Sequence, residues 1–86
     1  MILAWTADAW EDYVHWQTAD RAILKRINRL VEDALRDPAN GIGKPEYMKH
    51  RIDGAISRRI TEEHRLVYLV DGEYLTILQA RFHYND

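Results

Sequence analysis

Between Ile23 and Leu35 the apolar residues fall at helical spacing: Ile23, Ile27, Leu30, Val31, Ala34 and Leu35. Lys25, Arg26, Arg29, Glu32 and Asp33 take the rest of the surface. One apolar stripe among charges predicts an amphipathic helix, and such a stripe must be buried against another element. Asp20 is a natural N-cap. Pro38 ends the helix, because the residue before a proline avoids helical φ/ψ. After the loop from Pro38 to Pro45, which holds Gly41 and Gly43, the pattern turns strand-like. A one-sided helix followed by strands predicts helices lying on one face of a sheet.

The remaining elements fit around this pair of signals. Met1–Trp5 reads as a short buried strand, and Thr6 as an N-cap with Asp8 in the first turn. The helix that follows is expected to run to about Gln17, with Trp10, Tyr13, Val14 and Gln17 on one face. Its short connection to the second helix predicts an antiparallel hairpin. Strands are expected near Met48–Ile52, Ala55–Thr61, His64–Val70 and Tyr74–Tyr84, punctuated by Gly54 and Asp71-Gly72. Gly41-Ile42-Gly43 reads as a flexible loop. The order β-α-α-β-β-β-β gives an α+β domain spanning residues 1–86, two N-terminal helices packed on a mostly antiparallel sheet.

Register decides which side chains meet. An even two-residue turn at Asp71-Gly72 would put Arg65 and His83 on opposite faces. A bulged turn with Gly72 in the left-handed region would put Arg65, Gln79, Arg81 and His83 on one face. Leu66, Tyr68, Val70, Leu78, Ala80 and Phe82 would then form the core face, so the bulged turn is the expected one. In that register Val67, Leu69, Leu75 and Ile77 make an exposed apolar patch that a partner should cover.

Composition narrows the function. A chain of 86 residues buries only about 60–65% of its unfolded surface, which favours large substrates held at a surface over small engulfed ones. With no cysteine, disulfides, thiolate metal sites and thiol nucleophiles are excluded. No signal segment or membrane span is evident, so a cytoplasmic location away from membranes is expected. The net charge is −2, but it is sorted. From Lys44 to Arg65 there are six Lys or Arg against four acids, whereas Asp8 to Asp20 holds four acids and no Lys or Arg. That predicts one basic surface and one acidic one.

Four scattered histidines without metal-ligand spacing, and no Walker loop, dinucleotide fingerprint or nucleophile elbow, leave a different inventory. It consists of Glu46, Lys49, Arg58, Arg59, Arg65, Arg81, His83 and Tyr84. These suit RNA cleavage without a cofactor or metal. A base takes the 2′-hydroxyl proton, an acid protonates the leaving 5′-oxygen, and cations hold the charge on the phosphorane. Guanidinium groups match phosphate oxygens, and an aromatic such as Tyr84 can stack on a splayed base. Each residue also has a plainer reading. Arg58 and Arg59 should point to opposite faces, one of them as an exposed charge. Glu62 and Glu63 sit in a hairpin turn. His50 and His64 read as structural or surface residues, and the three tryptophans as packing aromatics.

Taken together, the motifs carry more. They run as a Gly-rich loop, Lys44-Pro45-Glu46, Lys49-His50, Ser57-Arg58-Arg59-Ile60, Glu62-Glu63-His64-Arg65-Leu66-Val67-Tyr68 and Arg81-Phe82-His83-Tyr84. With Trp5 and the Trp10, Asp12, Tyr13, Trp16 pattern, this string resembles the YoeB/Txe toxins of the RelE superfamily over nearly the whole chain. The resemblance implies a microbial-ribonuclease-like fold and a toxin that cleaves mRNA in the A site of the 70S ribosome. It also implies a YefM/Phd-type antitoxin, and a homodimer is a further possible assembly. By position, Glu46 matches the general base, His83 the general acid, and Arg65 and Arg59 the phosphate-stabilising cations. Lys49 matches a further RNA contact, Tyr84 the terminal substrate-positioning aromatic, and Glu63 the supporting surroundings of the site. No metal is implied.

The chain departs from the family at Tyr47 and Met48, where Pro and Leu are common, and at Ile56, where an aromatic is usual. Asn85-Asp86 extends beyond the usual His-Tyr end. Alternatives to a ribosome-dependent nuclease are a ribosome-independent RNase of the same fold, a toxin homologue acting mainly through antitoxin binding, and a DNA-binding module. The joint presence of Glu46, Arg65, His83 and Tyr84 argues against lost catalysis. Interleaved acids on the second helix argue against DNA recognition.

Overall fold

The computed structural model describes residues 1–82. Two of the expected site residues, His83 and Tyr84, lie outside the described residues, as does the Asn85-Asp86 extension. The elements are β1 (Ile2–Trp5), α1 (Ala7–Ala19), α2 (Arg21–Arg36), β2 (Glu46–Tyr47), β3 (Ile56–Arg59), β4 (Arg65–Asp71) and β5 (Tyr74–Gln79). The strands form one sheet in the order β1-β5-β4-β3-β2. Only the β1–β5 pairing is parallel. The α+β class and the element order match the expectation from the sequence.

Both helices start where their caps say. Thr6 Oγ1 accepts from the Ala9 amide at 3.1 Å, and Asp20 Oδ1 accepts from the amides of Ala22 and Ile23 at 3.0 and 3.2 Å. Each bond satisfies an orphan donor of the first turn. Asp37 closes α2 in an extended conformation (φ −153°), as the following proline requires. The α2 stripe is dry as expected: Ile27, Leu30, Val31 and Ala34 are buried, with Ile23 and Leu35 packed at the margin. Each fully buried Ile or Leu contributes about 1.5–3 kcal/mol.

The expected face of α1 is wrong. Trp10, Val14 and Gln17 are exposed, and the helix buries Ala9 and Trp16 instead. Trp16 goes inward because its indole N–H finds the Ala80 carbonyl at 2.8 Å. A buried indole needs such a partner.

The β4–β5 hairpin also corrects the expected register. Asp71 pairs with Tyr74, so the turn is an even two-residue loop, Gly72-Glu73, with Gly72 at φ 59°. Glycine at the first loop position suits a type II′ hairpin turn. The bulge lies further along: Tyr68 pairs with Ile77 but Val67 pairs with Gln79, leaving Leu78 as the extra residue. Leu75 and Ile77 consequently face the helices and are fully buried, with Leu66, Tyr68 and Ala80. Leu78 packs on the other side, with Val67, Leu69, Met48, Ala55 and Ile52.

The exposed patch of Val67, Leu69, Leu75 and Ile77 therefore does not exist. Two of its members lie under the helices, and Val67 is covered by the segment 48–55. Exposed apolar side chains collect instead on α1, at Trp10 and Val14, and on β1, at Ile2 and Leu3, so the first strand is not the buried one expected but an edge strand of the sheet.

Strand boundaries differ as well, most at three strands. The strand expected at Met48–Ile52 is only Glu46–Tyr47, and Ala55–Thr61 shortens to Ile56–Arg59. The final strand stops at Gln79, because α1 takes the next backbone groups. Asp12 Oδ2 accepts from the Ala80 amide at 3.0 Å while Trp16 binds its carbonyl.

Candidate functional site

Pairing fixes what shares the sheet face opposite the helices. Glu46 lies across from Ser57, Ser57 from Val67, and Val67 from Gln79. Arg59 lies directly across from Arg65. Adjacent strands sit about 4.8 Å apart, so Glu46 stands roughly 10 Å from the Arg65 strand, within reach of one bridging phosphate group and its sugar. Of the residues expected at the site, Glu46, Arg59 and Arg65 are thus gathered on one open face.

Two segments frame that face. Residues 48–55 cover the part of it around Val67, anchored by buried Met48 and Ala55 and tied by Met48 N–H to Ala55 O at 2.8 Å, and leave Glu46 and Arg59 exposed. This segment carries Lys49, which is exposed and lies three residues after Glu46 in the chain. On the opposite side runs the chain after β5, where the Arg65 amide donates to Phe82 O at 2.9 Å. Arg65 also donates from Nη1 to Thr61 O at 3.1 Å, which steadies its guanidinium.

Glu46 and Arg59 make no side-chain hydrogen bond among the described residues. Glu63 is exposed, with Oε1 3.6 Å from His64 Nε2. Among the described residues no three His, Asp or Glu side chains gather as a metal site would require.

Two arginines do not sit where the sequence reading put them. Arg58 is fully buried on the helix side. It spends all its donor groups: Nε on Tyr68 Oη at 2.8 Å, Nη1 on Asp33 Oδ2 at 2.6 Å and Ile42 O at 3.0 Å, and Nη2 on Asp37 O at 2.6 Å and Asn40 O at 3.0 Å. Tyr68 Oη in turn donates to Pro38 O at 2.5 Å. The loop expected to be flexible is therefore fastened to the core. At Gly43 (φ 79°) a Cβ would come within 2.7 Å of Leu30 Cδ2, so only glycine lets the loop close down. Arg59 N–H then reaches Gly43 O at 2.7 Å, just ahead of Glu46.

The Arg58 guanidinium, the Ile42 amide and Arg36 together hold the Asp33 carboxyl down at about 2. Burial pushes the Tyr68 phenol up.

Arg81 turns from the open face towards α1. Its guanidinium lies 6.0 Å from the Trp16 ring and 4.7 Å from the Phe82 ring, and it lines a groove of about 520 Å³ with Asp8, Glu11, Asp12 and His15. Phe82, expected in the core, is half exposed.

Arg58, Asp12, Trp16, Gln79 and His64 act as positioning groups, a role the sequence did not assign to them. His64 carried a usable signal. It alternates with Leu66 and Tyr68, which places it on the buried face.

With Arg58 withdrawn into the core, the stretch from Lys44 to Arg65 leaves five Lys or Arg residues on the surface against four acids. Helix α1 bears Asp8, Glu11 and Asp12 with no Lys or Arg.

The family model described as the YoeB-like toxin of bacterial type II toxin–antitoxin systems matches residues 5–84. The chain belongs to the YoeB-like toxin family. Toxin YoeB of Escherichia coli is 51% identical over 84 residues, covering 98% of this chain and all of that protein. A YoeB/ParE toxin from Agrobacterium tumefaciens superposes with a TM-score of 0.94 at 48% identity, over 98% of this chain and all of that one. YoeB of Staphylococcus aureus, solved as a dimer and in complex with YefM, superposes with TM-scores of 0.89 and 0.88 at 41% and 40% identity, over 98% of both chains in each case. This YoeB-like toxin superposes on the solved structures over 98% of its length.

Proposed function

We propose that this toxin is a metal-independent endoribonuclease that cleaves mRNA in the ribosomal A site and so stops translation. The observation that carries the reading is the sheet face opposite the helices, where Glu46 and the cross-strand pair Arg59–Arg65 stand together. Glu46 takes the proton of a 2′-hydroxyl, whose oxygen attacks the adjacent phosphorus. Arg65 and Arg59 hold the added negative charge of the phosphorane, for which guanidinium forks are suited. His83 protonates the departing 5′-oxygen, leaving a 2′,3′-cyclic phosphate and a free 5′-hydroxyl. Lys49 contacts the RNA backbone, Tyr84 stacks on a base, and Glu63 supports the surroundings of the site.

The partners follow from the same reading. The ribosome supplies the mRNA, and a YefM/Phd-type antitoxin silences the toxin, as YefM is bound to the Staphylococcus aureus relative. A second copy of the chain is the other partner, as in the dimer of that relative. The apolar groove of Leu3, Trp5, Trp10, Tyr13, Val31 and Leu35 is surface of the kind such partners cover.

Induced expression with mapping of mRNA 5′ ends, for wild type and Glu46→Ala, tests the proposal. New 5′ ends in translated regions should appear with wild type and vanish with Glu46→Ala. Equal cleavage of naked mRNA without ribosomes would remove the ribosome from the reading. Arrest without new 5′ ends would remove the nuclease.

A further inference from the structure

Phe82 has φ 61°, a left-handed backbone conformation that a phenylalanine disfavours. Something must hold it there, and the structure supplies the holders. Its amide donates to His64 Nδ1 at 2.7 Å. Its carbonyl accepts from the Arg65 amide and from Gln79 Nε2, both at 2.9 Å. Two residues earlier, Asp12 and Trp16 grip both backbone groups of Ala80. The His64 ring is itself buried, standing edge-on to Trp16 at 4.8 Å between centroids and 5.6 Å from the Phe82 ring. Because a backbone amide can only donate, Nδ1 must carry a lone pair. The ring proton then sits on Nε2, on the side of the Glu63 carboxylate.

We propose that His64 is a positioning residue for RNA cleavage: by accepting the Phe82 amide it holds the left-handed conformation of the residue that immediately precedes the proposed acid in the chain. It touches neither substrate nor the reacting atoms. The same turn ties Phe82 to the Arg65 amide, so one imidazole keeps the chain leading to the proposed acid in register with the proposed phosphate-binding arginine. The proposal rests on the cleavage reading above. A displacement of about 1 Å at a reacting group costs on the order of 100-fold in rate.

The experiment compares wild type, His64→Leu and His64→Asn. Asparagine places Oδ1 where Nδ1 stands and restores the acceptor, while leucine fills the space without one. Three readouts are taken: cleavage kinetics on programmed ribosomes, ¹⁵N shifts of the His64 ring, and hydrogen exchange at the Phe82 amide. In wild type the ring should be the Nε2–H tautomer and the Phe82 amide slow to exchange. His64→Leu should keep its fold, lose Phe82 protection and fall on the order of 100-fold in kcat with KM little changed. His64→Asn should regain protection and most of the rate.

An Nδ1–H tautomer in wild type overturns the proposal. So does a folded His64→Leu that cleaves at the wild-type rate, or equal impairment in both variants. Should His64→Leu fail to fold, the wild-type tautomer together with the rate and protection of His64→Asn decides. If wild type does not cleave RNA at all, the cleavage reading falls and the positioning role falls with it. The ring shifts and amide exchange then still report whether the hydrogen bond exists.

Discussion

Arg58 and Arg59 are neighbours on β3 and face opposite sides of one sheet. The first is sealed under α2, with every donor matched by Asp33, Tyr68 or a carbonyl of the 37–42 loop. The second is exposed and faces Arg65 across the strand. Taking a charge out of water is costly unless it is paired and hydrogen-bonded, so the covered face had to assemble a complete set of acceptors around its guanidinium. On the open face water solvates the charges, and two arginines can stand side by side without a carboxylate between them. Such a pair is left free to meet a phosphate. One face spends its arginine on the fold, and the other keeps its arginines for a ligand.

The sharpest way to break this comparison is to remove the buried guanidinium. Arg58→Met leaves the partly buried Asp33 and three loop carbonyls without their donor. Stability should fall by about 3–5 kcal/mol, the cost of breaking a buried pair. That is a large share of the roughly 5–15 kcal/mol that holds a small domain together. Arg58→Lys should rescue little, since one ammonium cannot span the tyrosine, the aspartate and the loop. Urea titrations followed by tryptophan fluorescence read this directly. A melt close to wild type for Arg58→Met would mean that the covered face does not depend on its arginine.

A smaller effect is expected from Tyr68→Phe, which keeps the ring and removes the hydroxyl linking Arg58 Nε to Pro38 O. A buried donor and a buried acceptor lose their partner, for about 1–3 kcal/mol. Because Tyr68 and Arg58 share one network, the double variant should lose less than the two single losses added together. Strict additivity in a double-mutant cycle would contradict the network.

These groups also mark where the sequence was legible and where it was not. The α2 stripe and both helix caps are local patterns, and each was readable from spacing; the position of the Gly72 turn was readable too, but not its type. The bulge at Leu78 was not. It answers to Asp12 and Trp16, more than sixty residues away, which take the backbone of Ala80 and end the strand. The buried face of α1 was misread for the same reason, since only the Ala80 carbonyl explains why Trp16 turns in and Trp10 out. At β3 the alternation showed that one arginine of the pair must face inward. Which one, and with what partners, depended on Asp33 and on carbonyls of a loop that reads as loose. At the candidate site Glu46, Arg59 and Arg65 were named from motif and resemblance, and cross-strand pairing gathers them. The groups that hold the chain after Gln79 come from three different elements and left little trace beyond the parity of His64.

The acid limb of stability offers a gentler test of the covered face. Asp33 is held at about 2, against 3.8 ordinarily, first by Arg58, then by the Ile42 amide and Arg36. A carboxyl depressed in the folded state contributes its full stability above the unfolded value and loses it as pH falls towards the folded one. Wild type should therefore lose stability between about pH 4 and pH 2 more steeply than Asp33→Asn, which has no carboxyl to titrate there. Identical slopes in acid titrations of the two proteins would detach Asp33 from the Arg58 network.

The smallest stability effect should come from the other arginine of the pair. Arg59 contributes to the fold through its backbone, by N–H to Gly43 O and by its carbonyl to Arg26 Nη2, and neither bond involves its guanidinium. Arg59→Met should shift the urea midpoint by no more than about 0.5 kcal/mol equivalent, as surface substitutions away from special features do. Under the cleavage reading the same change removes one of two cations from the phosphorane, a loss on the order of 100- to 1,000-fold in kcat. A variant that melts like wild type and cleaves poorly would separate the two faces as sharply as the geometry does. One that melts early and cleaves normally would reverse the assignment of the two arginines and send the search for the phosphate site elsewhere on the sheet.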